Sequence, residues 1–174
     1  MLLEKSVKTG DFTLASGKKS DLYVDCRVTA MDCHGARLVG EVGWGVAKDV
    51  VAAEKLDCLG GMTMGADPVS LAVGMESARQ GASLQVFTIR KEPKDHGRGK
   101  QIEGNFSEGD RVLIVDDVIT TGGSTLKAIE AVRKAGGTVV AALVLVDREE
   151  GGRAAIEGEG VPVHAMFTRT DLLG

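Results

Sequence analysis

Two adjacent carboxylates, Asp116 and Asp117, end an apolar run that begins at Val112, and after Val118 and Ile119 the chain passes through Thr120, Thr121, Gly122, Gly123 and Ser124 into a helical pattern. A helix start presents unpaired N–H groups and a partial positive charge, and glycines let an anion approach the backbone closely. Thr120, Thr121 and Ser124 add hydroxyl donors, so the turn suits a phosphate. It is not a P-loop, because the lysine of the G-K-[ST] pattern is missing and two acids precede the turn. Acids beside a phosphate need a partner of their own. A sugar phosphate supplies one: the carboxylates accept hydrogen bonds from vicinal hydroxyls while the turn holds the phosphate.

The elements that must position these groups follow from periodicity. Val112–Val115 and Val139–Val146 are continuous branched apolar runs, the pattern of strands buried on both faces of a parallel sheet. Between them Leu126, Ile129, Ala131 and Val132 recur at helical spacing from Ser124 to Ala135, and Gly136-Gly137 stops the helix. Weaker strands are expected over Leu56–Met62 and Leu84–Ile89, flanking a helix over Pro68–Arg79. A longer helix over His34–Ala53 is expected to bury Leu38, Val42, Val46 and Val50. This alternation predicts an α/β fold with a central parallel sheet flanked by helices. The first 32 or so residues do not fit the repeat and are expected to form a small hood. Arg90–Glu103 is polar, punctuated by glycine and too long for an ordinary turn, which marks it as a functional loop.

The chain's 174 residues predict a single domain able to build its own core, and 43% hydrophobic with 26% charged residues exclude disorder as the main state. A net charge of -4 argues against coating nucleic acid or an acidic membrane. Cys26, Cys33 and Cys58 have no C-x-x-C spacing, and Met1–Phe12 lacks the apolar core of a signal peptide, so a reducing, cytoplasmic setting is expected. His34 and His164 have no supporting neighbours and read as structural or surface residues, and Trp44 reads as packing, with a subunit interface as its alternative.

The Asp116–Ser124 segment resembles the phosphoribosyl-pyrophosphate (PRPP) motif of type I phosphoribosyltransferases. Three further stretches are similar to the orotate phosphoribosyltransferases: Phe12–Ser20 with Tyr23-Val24-Asp25, the Lys91–Gly97 loop with its K-x-x-K-D-H-G pattern, and Asp147-Arg148-Glu149. The resemblance runs from about Phe12 to Glu149. It implies transfer of phosphoribosyl from PRPP to orotate with Mg2+, giving orotidine 5′-monophosphate and pyrophosphate. The alternatives are a relative acting on another base and a PRPP-sensing regulator.

Residue by residue, the resemblance implies that PRPP is bound by Asp116, Asp117, Val118, Ile119, Thr120, Thr121, Gly122, Gly123 and Ser124 and by Arg90, Lys91, Lys94 and His96. Lys94, His96 and Asp117 would be catalytic, and Thr120 and Arg148 would meet orotate. Thr63, Met64, Gly65 and Ala66 resemble the family's pyrophosphate loop without the lysine that some relatives carry there. The segment Arg90–Lys100 has a charge of +3 without His96, suited to the charge that develops on departing pyrophosphate. Magnesium would be held mainly through PRPP and water. The resemblance also implies a homodimer in which the loop Arg90–Gly99 reaches the partner's site. Ala15 departs from relatives that have a lysine there, a role left to Lys18 or Lys19.

Overall fold

The computed structural model describes residues 1–13, 19–92 and 100–174, with the side chains of Thr13 and Ser20 outside the description. Its elements in chain order are α1 (Leu2–Ser6), β1 (Val7–Thr13), β2 (Lys19–Val24), α2 (Arg27–Ala30), α3 (Cys33–Glu54), β3 (Cys58–Met62), α4 (Ala66–Arg79) and β4 (Gln85–Ile89). They continue with β5 (Ile102–Gly104), β6 (Arg111–Ile119), α5 (Gly123–Lys134), β7 (Thr138–Asp147), α6 (Gly152–Glu157), β8 (Val163–Thr168) and α7 (Arg169–Leu173).

Six strands form one sheet in the order β5-β4-β3-β6-β7-β8. All neighbours are parallel except β5, which pairs antiparallel with β4 at the edge. The expected α/β architecture is therefore present, with one antiparallel strand that three residues of modest hydrophobicity did not announce. Chain order runs outward from β3 in one direction and from β6 in the other, so the sheet switches direction between these two central strands. In open α/β sheets a ligand crevice forms at such a point, beyond the carboxyl ends of the strands. The turns after β3 and β6 face each other across it.

Burial on both faces explains the unbroken apolar runs. Leu113, Val115, Leu143 and Leu145 pack with Val39, Val51, Val69 and Val73 from α3 and α4. Val112, Ile114, Ala142 and Val144 face the opposite way, onto Ala128, Ile129 and Val132 of α5. Each fully buried Leu, Ile or Val contributes roughly 1.5–3 kcal/mol, so these two layers hold the ends of β6 rigidly.

The buried stripe of α3 differs from expectation. Val39, Gly43, Ala47 and Val51 face the core, while Leu38 and Val42 are exposed and Val46 and Val50 only partly covered. Close helix packing is the reason: a Cβ at Gly40 would lie 2.6 Å from the Ala72 carbonyl oxygen, and one at Gly43 would lie 2.6 Å from Val73 Cγ2. The glycines are the contact surface with α4, which rotates the larger residues outward. Trp44 packs partly buried against the core; His34 is exposed, and His164 half-buried on β8.

The N-terminal residues form the separate element expected of a hood. Strands β1 and β2 pair antiparallel, with the Phe12 and Tyr23 rings 5.7 Å apart. Arg148 donates to the Leu22 carbonyl at 3.1 Å, and Arg169 pairs with Asp21 at 2.6 Å, tying β2 to the carboxyl end of the sheet.

Candidate active site

Above the β3/β6 switch lies a cavity of about 730 Å³. Its floor is Asp116, Asp117 and Val118, and Ser124 and Lys127 of α5 form one wall. Met62, Thr63, Met64 and Gly65 form the wall opposite, Tyr23, Asp25 and Arg27 come from the hood and α2, and Lys91 stands at the rim.

Asp116 is buried, and its Oδ2 accepts from Ser124 Oγ at 2.6 Å and Thr125 Oγ1 at 2.7 Å, so the strand end and the first turn of α5 are fastened together. The Asp117 N–H donates to Asp116 Oδ1, and the Val118 N–H donates to Asp117 Oδ1. Burial, and secondarily the Asp116 charge, push the Asp117 carboxyl up to about 6, against the opposing pull of the Val118 N–H. An acid held in this state has unspent accepting capacity: donors or a cation brought by a ligand would favour its charged form.

Gly122 takes φ +81 as the N-cap residue of α5, and no side chain caps the helix, so its first N–H groups remain available to an anion. The turn is braced from behind. Gly152 N donates to the Thr120 carbonyl at 2.9 Å, and a Cβ on Gly152 would lie 2.9 Å from Gly122 N. Gly152 is thus a close-approach position that sequence reading missed, because its partners are thirty residues away.

On the facing wall the Thr63–Met64 peptide is cis, and α4 likewise begins without a side-chain cap at Gly65. The two turns touch: a Cβ on Gly65 would fall 2.5 Å from Asp117 Oδ1. Arg27 forks onto Asp25 with contacts of 2.8 and 2.9 Å, which holds the Asp25 carboxyl below the usual carboxylate range. Burial and nearby Asp117 raise the Cys26 thiol, leaving it an inert packing group.

Asp116, Asp117, Val118, Ser124, Thr63, Met64, Gly65 and Lys91 thus converge on one cavity. Thr120, Thr121, Gly122 and Gly123 form the turn between β6 and the lining residue Ser124 but do not themselves line the cavity, whereas Ile119 and Ala66 are buried in the core. Arg90 points to Glu103 at 3.9 Å and does not line the cavity. Arg148 is 5% exposed, pairs with Glu150 at 2.7 Å and with the hood, and does not line this cavity. Lys94 and His96 lie outside the described residues, as do Ala15 and Lys18; Lys19 is exposed on β2. Arg27 and Lys127 were missed. Lys127 follows Ser124 by three positions, the spacing that puts both on one helix face, so its signal was available.

A family model of the phosphoribosyl transferase domain matches residues 70–158. The chain is 40% identical over 176 residues to an orotate phosphoribosyltransferase of Aquifex aeolicus, covering 99% of this chain and 94% of that one. Its fold is similar to that of Mycobacterium tuberculosis orotate phosphoribosyltransferase, with a TM-score of 0.84 at 36% identity over 99% of this chain and 95% of the other. A second structure of that enzyme, in complex with PRPP, matches with a TM-score of 0.79 at 33% identity over 98% and 93%. By sequence over nearly its whole length and by fold, the chain belongs to the phosphoribosyltransferase family and, within it, to the orotate phosphoribosyltransferases.

Proposed function

We propose that the protein, acting as a single domain, transfers the phosphoribosyl group of PRPP to orotate, giving orotidine 5′-monophosphate and pyrophosphate in pyrimidine biosynthesis. The observation that carries this reading is the meeting, in one cavity, of the paired acids of β6, the uncapped start of α5 and the turn after β3. The 5′-phosphate sits on Thr120–Ser124, Asp117 accepts from the ribose hydroxyls with Asp116 beside it, and the pyrophosphate lies toward Thr63–Ala66. As the anomeric C–O bond breaks, its electron pair leaves with pyrophosphate and positive charge grows on the ribose. The half-buried Asp117 carboxylate stabilises that charge, and Lys91, Lys94 and His96 receive the leaving group. Orotate nitrogen then closes the new bond, with Thr120 and Arg148 on the orotate side.

The donor set fits magnesium carried by its substrate. Among the described residues no group of three or more His, Cys, Asp or Glu side chains forms a cage, and the cavity floor offers two adjacent carboxylates. Magnesium usually keeps several waters and is shared between one or two carboxylates and substrate phosphates. When bound it would neutralise charge on the pyrophosphate, and Asp116 and Asp117 would be the floor carboxylates available to it.

The working unit is a homodimer in the cytoplasm, with no nucleic acid or membrane partner, and the loop Arg90–Gly99 completes the partner's site. Support for the dimer comes from apolar side chains left outside on α3 and α4: Leu38, Val42, Leu71 and Met75, the last 74% exposed. Among the described residues no helix is long and apolar enough to cross a membrane, and all three cysteines are free thiols.

Two measurements test the reading. Protein, PRPP and magnesium mixed with a panel of bases should consume orotate, followed by its absorbance; consumption of adenine or hypoxanthine in its place would overturn the base assignment. Mixing a Lys94→Ala chain with an Asp116→Asn/Asp117→Asn chain should restore activity, approaching about a quarter of wild type per chain under random pairing. Mixed dimers verified by mass spectrometry yet inactive would show that the loop serves its own subunit.

A further inference from the structure

Asp67, the second residue of α4, is half-buried and does not line the reaction cavity. It lies on the wall of a separate cavity of about 290 Å³ with Leu71, Phe87 and Thr88. Both of its carboxylate oxygens are engaged: Oδ2 accepts from Thr63 Oγ1 at 2.6 Å and Oδ1 from Thr88 Oγ1 at 2.5 Å. Thr63 is the first residue of the turn after β3, and its N–H donates to the Ile89 carbonyl at 2.9 Å. Thr88 stands on β4, two residues before Arg90 and three before the cavity residue Lys91. One carboxylate therefore joins the turn that walls the cavity to the strand from which the basic segment departs.

An acid close to an anion site opposes anion binding, so its presence here calls for a structural role. Both of its oxygens are taken up by hydroxyl donors, and hydrogen bonds to a charged acceptor are short and strong. Only Met64, Gly65 and Ala66 separate the stapled Thr63 from Asp67, so fixing the two ends fixes the turn.

We propose that Asp67 is a positioning residue that sets the turn Thr63–Ala66 against the root of the basic segment, and thereby determines affinity for the pyrophosphate end of PRPP without touching it. This rests on the reading that the turn meets pyrophosphate.

The test is steady-state kinetics with both substrates alongside thermal melting. Asp67→Ala should raise KM for PRPP tenfold or more, and KM for pyrophosphate in the reverse reaction likewise, while KM for orotate stays within twofold. Thr88→Val keeps the shape and the strand preference but loses one donor, and should raise KM for PRPP about threefold; Thr88→Ser keeps the donor and should match wild type. If Asp67→Ala does not fold, the Thr88 pair decides alone. A folded Asp67→Ala with unchanged KM for PRPP, or with both substrates weakened in parallel, overturns the proposal. Met64→Asp, a charge placed on the exposed tip of the turn, separates the two levels. Unchanged KM for PRPP in Met64→Asp would remove the reading of the turn itself, whereas a raised KM there with a normal Asp67→Ala would remove only the role of Asp67.

Discussion

The turns after β6 and β3 stand side by side at the switch point, and both lead into helices without a side-chain cap, yet they are built in opposite ways. The β6 turn carries its chemistry in its own sequence: two acids, two threonines, two glycines and a serine within nine residues. Its brace is local, Asp116 holding Ser124 and Thr125. The β3 turn carries no charge between Gly60 and Ala66, and its geometry is imposed from outside, through Asp67 to Thr88 and through the Ile89 carbonyl. One turn presents charge to the cavity, and the other presents a shaped neutral wall. The difference teaches that damage to the first should appear in turnover, and damage to the second in substrate affinity.

Asp117→Asn gives the largest expected effect, because on the proposed function it removes the charge that stabilises the developing ribosyl cation while keeping size and shape. Turnover should fall a hundredfold or more, equivalent to about 3 kcal/mol or above in the barrier. Stability should not fall with it. The raised folded-state carboxyl means that Asp117 favours folding below its unfolded value of 3.8, and that this contribution is lost as pH rises through about 6. At pH 7.5 the charged carboxylate is therefore a burden that asparagine lifts, and the melting temperature should hold or rise. A variant that loses activity only by melting would show that the acid has no electrostatic role. Gly65→Ala comes next: its methyl would meet Asp117 Oδ1, so the Asp117 side chain or the β3 turn must shift. We expect about a tenfold rise in KM for PRPP with a smaller loss of turnover. A change confined to turnover would break the division of labour between the turns.

How much of this was legible follows the same contrast. The β6–α5–β7 unit could be read directly because branched runs buried on both faces and a dense turn speak through neighbouring residues; the helix was expected over Ser124–Ala135 and spans Gly123–Lys134. The buried face of α3 was misread because hydrophobicity ranks Leu38 above Gly43, whereas packing against α4 needs the glycine. Strand β8 went unseen: it is a short edge strand behind Pro162, with His164 among its residues, and it is defined by pairing with β7. The Asp67–Thr88 bond, Gly152 and the hood contact of Arg148 act on residues distant in sequence, and no spacing rule connects them.

The smallest effect tests the electrostatic half of the comparison at equilibrium. Near pH 6 a carboxyl with its midpoint at about 6 is about half protonated in the free protein. Ribose hydroxyls can donate to it fully only when it is charged, so a ligand that brings them favours the charged form. Binding of PRPP with magnesium should therefore release protons from Asp117 near pH 6, and this release should fall toward zero by pH 8. The phosphates of PRPP titrate in the same region, so the quantity to measure is the difference between wild type and Asp117→Asn, by calorimetry in two buffers of unlike ionisation enthalpy. Equal proton release from the two would mean that Asp117 does not change charge on binding, and the β6 turn would then have to act through hydrogen-bond geometry alone, as the β3 turn does.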